Sequence, residues 1–337
     1  MAHFRDYTKS FIHAIAGFLP FDMLRRLGSD KLIFPFYHAV SDEPIAHIDH
    51  LYQVKNMMQF RADIDFLLAH YKPITAAELI SHVRNGTSIT EPSFLLSFDD
   101  GLSQVHEVIA PILREKGVSA VCFLNSGFID NQGLFYRYKV SLIIEHLVSN
   151  KDKLSLISNR NSLDGFSKYL LSLGYKDTDE IDEIGYLLGL DFGQYLVCTK
   201  PYLSSEQIIA LVEQDWYFGG HSVDHPHYHE LEHEQQLSQT RQSIAFVKQH
   251  FGLDYSLFSF PFTDFGVKQD LFNTLRKDKS IDLSFGCAGM KDKEFPFHFQ
   301  RIPMEDGLFS AEDILKREFL YYGMKAILGK NKIIRDA

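Results

Sequence analysis

The sequence is poor in cysteine. Its three cysteines, Cys122, Cys198 and Cys287, are odd in number and far apart in a chain of 337 residues. Such a set provides neither a disulfide framework nor the paired CxxC ligands of a structural zinc site. The cysteine content therefore fits a reducing compartment.

An excess of basic residues is also lacking. The chain has 34 Lys and Arg residues against 44 Asp and Glu residues, a formal net charge of -10. No stretch combines dense positive charge with interleaved aromatic residues, the pattern typical of nucleic-acid binding. The sequence therefore predicts no nucleic-acid partner.

The sequence shows neither a signal-peptide pattern nor an apolar run long enough to span a bilayer. Apolar residues at helical spacing in residues 11–24 predict an amphipathic helix, which Arg25 and Arg26 follow. Packing of this helix on the domain is the favoured interpretation, and contact with a membrane surface is the alternative. We therefore expect a cytoplasmic protein, with peripheral contact at the inner membrane surface as an option.

Apolar residues are plentiful, at 45% of the chain, with 14% aromatic, so a large core is expected. Runs typical of strands occupy residues 32–37, 94–98, 120–124, 216–218, 257–260, 283–287 and 299–302. Helical patterns lie between most of them, at 59–71, 105–116 and 236–251, and Thr75 with Glu78 has capping-box spacing. This alternation predicts parallel strands with helical crossovers, in an open sheet or a barrel, and seven strands favour a barrel.

Residues 131–205 interrupt the alternation, because they contain several helical patterns and no convincing inward strand. We interpret them as an insertion. The sequence thus divides into an N-terminal helical segment at 1–30, a barrel at 31–309 interrupted by insertion 131–205, and a C-terminal helix with a basic tail at 310–337.

The first motif that carries chemistry is SFDDG at residues 97–101, directly after an apolar run. Neighbouring side chains on a strand point to opposite faces, so Asp99 and Asp100 can serve one site only where the strand ends and the backbone turns. Gly101 allows such a turn, because glycine accepts a positive φ. Taken alone, the motif is more often a solvated turn.

The second motif is HSVDHP at residues 221–226. His221 and His225 could share one helix face, but Pro226 disfavours helical geometry at His225, so a loop after a strand is predicted. Five histidines fall between His221 and His233, a density typical of a metal site, and a set of surface histidines stays open as the alternative.

Together the two motifs resemble the T/S-F-D-D-G and H-S/T-x-x-H-P signatures of the NodB-like polysaccharide deacetylases. Tyr37-His38 resembles the Tyr-His motif of one branch of the family, and FSFPF at 258–262 resembles its Phe-Ala-Tyr-Pro-Tyr motif. The resemblance covers residues 31–303 apart from the insertion. It implies an α/β fold, a distorted (β/α)7 barrel of the NodB type with a helical insertion between the second and third catalytic segments.

The resemblance also implies a role for each matching residue. Asp99 would be the general base, Asp100, His221 and His225 would bind the metal, and the backbone amide of Phe262 would stabilise the oxyanion. These nitrogen and oxygen ligands suit Zn²⁺ best, although Co²⁺, Ni²⁺ or Fe²⁺ could also bind.

The sequence departs from the family pattern at two positions. Ser259 occupies the place of an arginine that orients the base in many members, and Arg301 could replace that arginine or form an ordinary ion pair. The late Leu-x-x-His motif, which supplies the general acid, has no clear counterpart. His298 lies nearest in order, with His38 and His227 as alternatives.

His38, Tyr37, Pro261 and Trp216 are the predicted substrate contacts. The expected function is removal of N-acetyl or O-acetyl groups from a carbohydrate, such as a glycan or glycan precursor of surface polysaccharide biosynthesis. Two alternatives stay open: a non-catalytic protein of the same fold that binds metal and glycan, and a metal-dependent hydrolase of small non-peptide amides. The presence of Asp99 beside Asp100 argues against the first, because a metal site alone needs no second carboxylate.

Overall fold

Parallel strands joined by helices form the centre of the structure, a computed structural model that describes residues 15–28, 31–157, 162–305, 307 and 309–336. All seven predicted strands are present, with small shifts at their ends. The strands are β1 Leu32–Ile33, β2 Pro35–Tyr37, β3 Lys72–Pro73, β4 Ser93–Phe94, β5 Leu96–Phe98, β6 Ala120–Leu124, β7 Tyr217–Gly220, β8 Leu257–Ser259, β9 Leu283–Gly286, β10 His298–Gln300 and β11 Ile302–Pro303.

Eight of these strands form one sheet in the order β10-β9-β8-β7-β6-β5-β2-β11. Its two edges belong to a single stretch of chain, because only Arg301 separates β10 from β11. The Arg301 N–H donates to the Gly286 carbonyl at 3.0 Å, and the next N–H, that of Ile302, donates to the Phe34 carbonyl at 2.8 Å. The last strand therefore changes partner at Arg301 and closes the barrel. Counted as one strand, residues 298–303 complete the predicted seven-stranded barrel.

A smaller parallel sheet, in the order β1-β4-β3, extends the barrel at the amino end of its first strands. Leu32 pairs with Ser93 and Phe36 pairs with Ser97, so the two strand pairs keep one register and form a continuous ladder. The short strand β3 was not predicted, because Lys72-Pro73 has neither the length nor the apolar pattern of a strand.

Helices cover the outside of the barrel. Those whose bounds the structure describes are α1 Phe21–Arg25, α2 Met57–His70, α3 Ala76–Asn85, α4 Ala110–Lys116, α5 Tyr136–Ser149, α6 Leu154–Ile157, α7 Leu163–Ser172, α8 Thr178–Leu187, α9 Phe192–Thr199, α10 Ser205–Val212, α11 His233–His250, α12 Gln269–Lys277 and α13 Ala311–Ile327. Thr75 caps α3 and forms the predicted capping box with Glu78. The predicted helix at 105–116 begins with a π-helical turn, Val105–Ile109, a feature frequent near functional sites.

The insertion forms helices α5 to α9, and no strand occurs in its described residues, 131–157 and 162–205. Its apolar side chains form a separate core with Ala39, Ile45, Ile48 and Leu102. These residues follow the carboxyl ends of β2 and β5, so the insertion covers the end of the barrel where parallel α/β sheets place their sites.

Helices α1 and α13 pack beside each other. Phe21 of α1 contacts Phe319 of α13, with ring centroids 5.9 Å apart, and both side chains belong to the main core. Of the predicted N-terminal helix, Phe11 and Ile12 lie outside the described residues. Among the helices that are described, we find none with both the length and the apolar character to cross a membrane.

Candidate metal centre

Strand β5 delivers both acidic residues of the first motif to the mouth of the barrel. The side chains of Ser97 and Asp99 face the barrel interior, where Arg301 contacts both. Two left-handed residues follow, Asp100 with a φ of 69° and Gly101 with a φ of 66°. The backbone therefore turns one residue earlier than the glycine alone predicts, and this turn keeps the Asp100 carboxylate on the same side as Asp99.

Strand β7 ends at Gly220 and delivers the histidines of the second motif from a loop, as predicted. A Cβ atom at Gly220 would lie 2.6 Å from the Ser243 hydroxyl of α11, so only glycine fits there. Ser222 and His225 also have positive φ angles, 67° and 63°. Strained backbone of this kind costs about 1 to 3 kcal/mol per residue and tends to occur at functional sites.

The two motifs meet. Asp100 Oδ1 lies 3.3 Å from His225 Nε2 and 3.6 Å from His221 Nε2. Within the described part of the chain this is the only group of three or more His, Cys, Asp or Glu residues whose ligand atoms are mutually close, all within 4.8 Å. Asp100 Oδ1 is buried and has no hydrogen-bond partner among the described residues. A buried carboxylate oxygen facing two imidazole nitrogens fits a divalent metal ion, which satisfies all three at once.

Further contacts orient the two imidazoles. His221 Nδ1 lies 2.8 Å from the Ser259 carbonyl oxygen, so it carries the proton and leaves Nε2 as the lone-pair donor. Burial lowers the pKa of His221 to about 4, so its imidazole is neutral at physiological pH. The His225 ring is held by packing instead, with Phe135 and Phe262 at centroid distances of 4.3 and 4.5 Å.

Asp99 lies beside this group and is bound by Arg301. The guanidinium donates to both carboxylate oxygens, at 2.7 and 2.6 Å, and also to the hydroxyls of Ser97 and Ser259. Burial opposes ionisation of Asp99, but the Arg301 charge outweighs it and holds the pKa of that carboxyl below its usual range. The small side chain of Ser259 leaves room for the guanidinium, which reaches Asp99 from the opposite end of the sequence.

The third motif, residues 258–262, places Phe262 against the histidines of the second motif. Its backbone has a φ of 56°, and none of the hydrogen bonds among the described residues uses its N–H. The ring stacks on His227 with a centroid distance of 3.7 Å, and Cys287 donates to its carbonyl oxygen. Pro261, one residue before, is buried at the end of β8. A backbone N–H that is unused among the described residues, on a residue that contacts His225, suits the predicted role of oxyanion donor.

Two predicted substrate contacts lie elsewhere. Tyr37 is fully buried on the outer face of β2, where its hydroxyl donates to Asp63 at 3.0 Å. Trp216 is buried in the main core against Phe98, with ring centroids 5.7 Å apart. The prediction that they contact substrate is corrected, because both side chains point away from the barrel interior into the layer beneath the helices.

His298 is also outside the centre. It points to the face of the last strand opposite Arg301, and its two ring nitrogens contact Ser284 Oγ at 2.8 Å and Asp264 Oδ2 at 3.0 Å. Neither nitrogen is available to a molecule at the barrel mouth. The structure therefore corrects the prediction of His298 as general acid.

His38 lies at the mouth, directly after β2 and level with Asp99 on the neighbouring strand β5. The Glu305 carboxylate contacts its Nδ1 and accepts hydrogen bonds from the backbone N–H groups of His38 and Ala39. Burial disfavours the charged imidazole, but Glu305 outweighs it and raises the pKa of His38 to about 9. Sequence reasoning missed Glu305, although an acidic residue after the last strand of a closed barrel must lie near the end of the first.

Comparison with known proteins agrees with this geometry. The sequence model of the polysaccharide deacetylase family matches residues 87–277, more than half of the chain. No curated protein sequence matches significantly.

Solved structures of deacetylases share the fold at low sequence identity. The Streptococcus pyogenes deacetylase PplD is 13% identical with a TM-score of 0.57, over 85% of this chain and 97% of that one. IcaB from Ammonifex degensii is 16% identical with a TM-score of 0.52, over 87% and 98%. A de-N-acetylase from Aggregatibacter actinomycetemcomitans is 13% identical with a TM-score of 0.51, over 80% and 93%. By family and fold the chain is a carbohydrate deacetylase, and it belongs to the polysaccharide deacetylase family.

Proposed function

We propose that this enzyme is a metal-dependent deacetylase in which Asp100, His221 and His225 hold one divalent ion and Asp99 is the general base. The observation that carries the proposal is the buried, unpartnered Asp100 Oδ1 facing two imidazole nitrogens, with a second carboxylate alongside. Zn²⁺ suits this ligand set best, and Co²⁺, Ni²⁺ or Fe²⁺ would also fit. A bound ion would polarise the acetyl carbonyl and lower the pKa of a water molecule to about 7.

The chain's own residues supply the remaining chemistry. Asp99, kept ionised by Arg301, accepts the proton of the attacking water. The Phe262 N–H donates to the oxygen that becomes negative in the transition state. His38 donates a proton to the leaving nitrogen or oxygen, a role supported by its position beside Asp99 and by its contact with Glu305. His227, the other candidate for this proton, is half-buried and stacked on Phe262.

Membership of the family supports a proposal for the substrate class. We propose an N-acetylated or O-acetylated carbohydrate, such as a precursor of a surface polysaccharide. One structural neighbour is a de-N-acetylase and another, PplD, was solved with acetate, which supports hydrolysis of an acetyl group. Pro261 and His38 flank the proposed centre and are the remaining predicted substrate contacts. Cytoplasmic location and peripheral membrane contact remain proposals from the sequence.

Removal of the metal tests the proposal directly. The purified enzyme, dialysed against a chelator, is expected to lose acetate release from a panel of N-acetyl and O-acetyl sugars and to regain it with stoichiometric Zn²⁺. Bound metal is measured by mass spectrometry before and after dialysis. Acetate release that persists without metal would contradict the proposed function.

The proposed acid is tested by His38→Gln. Loss of a general acid is expected to lower kcat about 10²-fold. Because the pKa of His38 is raised to about 9, the wild-type acid stays protonated below that pH, and kcat is expected to fall as pH rises through about 9. The variant should lack this alkaline limb.

His82→Gln is the control, since His82 lies on α3 far from the centre and contacts Thr87. An unchanged alkaline limb in His38→Gln would exclude His38 as the acid.

A further inference from the structure

The insertion contributes a residue to the centre. Tyr138, on α5, donates a hydrogen bond from its hydroxyl to Asp100 Oδ2 at 2.7 Å. The Tyr138 side chain is fully buried. The two oxygens of Asp100 therefore have different surroundings, because Oδ2 is paired with the insertion and Oδ1 faces His221 and His225 without a partner.

This hydrogen bond fixes the rotation of the carboxylate. Asp100 follows the barrel strand in a left-handed turn, and among the described residues Tyr138 makes the only hydrogen bond to its carboxylate. With Oδ2 bound to Tyr138, Oδ1 points to the imidazoles and the carboxylate is set to bind an ion through one oxygen. Partners that orient a ligand in this way typically contribute about 10-fold to 100-fold in metal affinity.

Tyr138 is itself rigidly placed. Its ring packs edge-on against Phe135 at 5.0 Å and His47 at 4.9 Å, and stacks with Tyr202 at 6.2 Å between centroids. Phe135 and Tyr202 belong to the insertion, whereas His47 follows β2 of the barrel. The hydroxyl position therefore depends on docking of the insertion against the barrel.

We propose that Tyr138 is a positioning residue of the metal centre, through which the helical insertion completes the site. This inference rests on the proposed function, because it assumes that Asp100 binds a metal ion. The inference goes further than the proposed function, because the insertion then supplies a residue of the metal centre as well as covering the end of the barrel.

The test compares Tyr138→Phe with Tyr175→Phe. Tyr175 also lies in the insertion and donates to a carboxylate of the second motif, Asp224 Oδ2, at 2.6 Å, but Asp224 is not a proposed ligand. Zn²⁺ affinity is measured by competition with a chromophoric chelator, and the Co²⁺-loaded proteins are compared by visible absorption. Tyr138→Phe is expected to bind Zn²⁺ about 10-fold to 100-fold more weakly with a changed Co²⁺ spectrum, while Tyr175→Phe matches the wild type.

The outcomes separate the two proposals. If the wild type binds no Zn²⁺, the proposed function fails and this inference with it. If the wild type binds Zn²⁺ and Tyr138→Phe binds it equally well with the same Co²⁺ spectrum, only the inference fails.

Hydrogen exchange of the wild type covers the case in which Tyr138→Phe does not fold. Zn²⁺ is expected to slow exchange in α5 and to leave α12, whose Phe272 packs on Phe260 and His298, unchanged. No change in α5 on Zn²⁺ binding would also overturn the inference.

Discussion

Asp99→Asn is expected to lower kcat about 10³-fold to 10⁴-fold while the variant still binds metal. Asparagine has nearly the same shape and keeps an oxygen that Arg301 can bind, but it cannot accept the proton of the attacking water. Asp99 Oδ2 lies 3.9 Å from His221 Nε2, whereas the proposed ligand oxygen, Asp100 Oδ1, is nearer to both imidazoles. The substitution should therefore remove the base and leave the three ligands in place.

Asp100→Asn provides the matched comparison, since it changes the adjacent carboxylate in the same turn. This variant is expected to lose both metal and turnover, because its amide replaces a charged ligand. Zn²⁺ content by mass spectrometry and acetate release would be measured for both variants. Asp99→Asn with wild-type turnover would eliminate Asp99 as the base, and Asp99→Asn without metal would show that both carboxylates are ligands.

The sequence was sufficient to predict the barrel and the meeting of Asp100 with His221 and His225, because both depend on local signals. Each motif follows an apolar strand and contains its own turn, so the carboxyl ends of parallel strands had to bring Asp100 and the histidines together. For Arg301 the sequence left two interpretations open, a residue that orients Asp99 or a member of an ordinary ion pair. The contact itself spans 202 residues of sequence and became visible only in the structure.

The errors have one physical cause. Strands that are buried on both faces are apolar at nearly every position, so the sequence does not show which side chains point into the barrel. Tyr37 is the neighbour of the inward-facing His38, and His298 lies three positions before the inward-facing Arg301. Because side chains alternate along a strand, both Tyr37 and His298 point outward. The Tyr138–Asp100 hydrogen bond was missed for a different reason, because the sequence of a helical insertion does not reveal where it docks.

Arg301→Met is expected to lower the free energy of unfolding by about 3 to 5 kcal/mol and to abolish measurable turnover. The side chains of Arg301 and Asp99 are 1% and 4% exposed, so removal of the guanidinium leaves a carboxylate buried without its partner. The hydroxyls of Ser97 and Ser259 lose the same donor. Urea unfolding monitored by circular dichroism measures the change.

Arg241→Met is the control, because Arg241 forms the same type of pair with Asp278 but with side chains 44% and 33% exposed. Exposed pairs contribute about 0 to 1 kcal/mol, so this variant should differ little from the wild type.

A double variant separates the loss of the ion pair from the loss of packing. Arg301 also packs over the Phe36 ring, with its guanidinium carbon 4.3 Å from the ring centroid, and its backbone lies where the last strand changes partner. If the unpaired charge is the main cost, Arg301→Met combined with Asp99→Asn should be more stable than Arg301→Met alone. If the second substitution recovers no stability, the effect of Arg301 comes from packing at the closure of the barrel. The proposal that Arg301 keeps Asp99 ionised would then lose its energetic support.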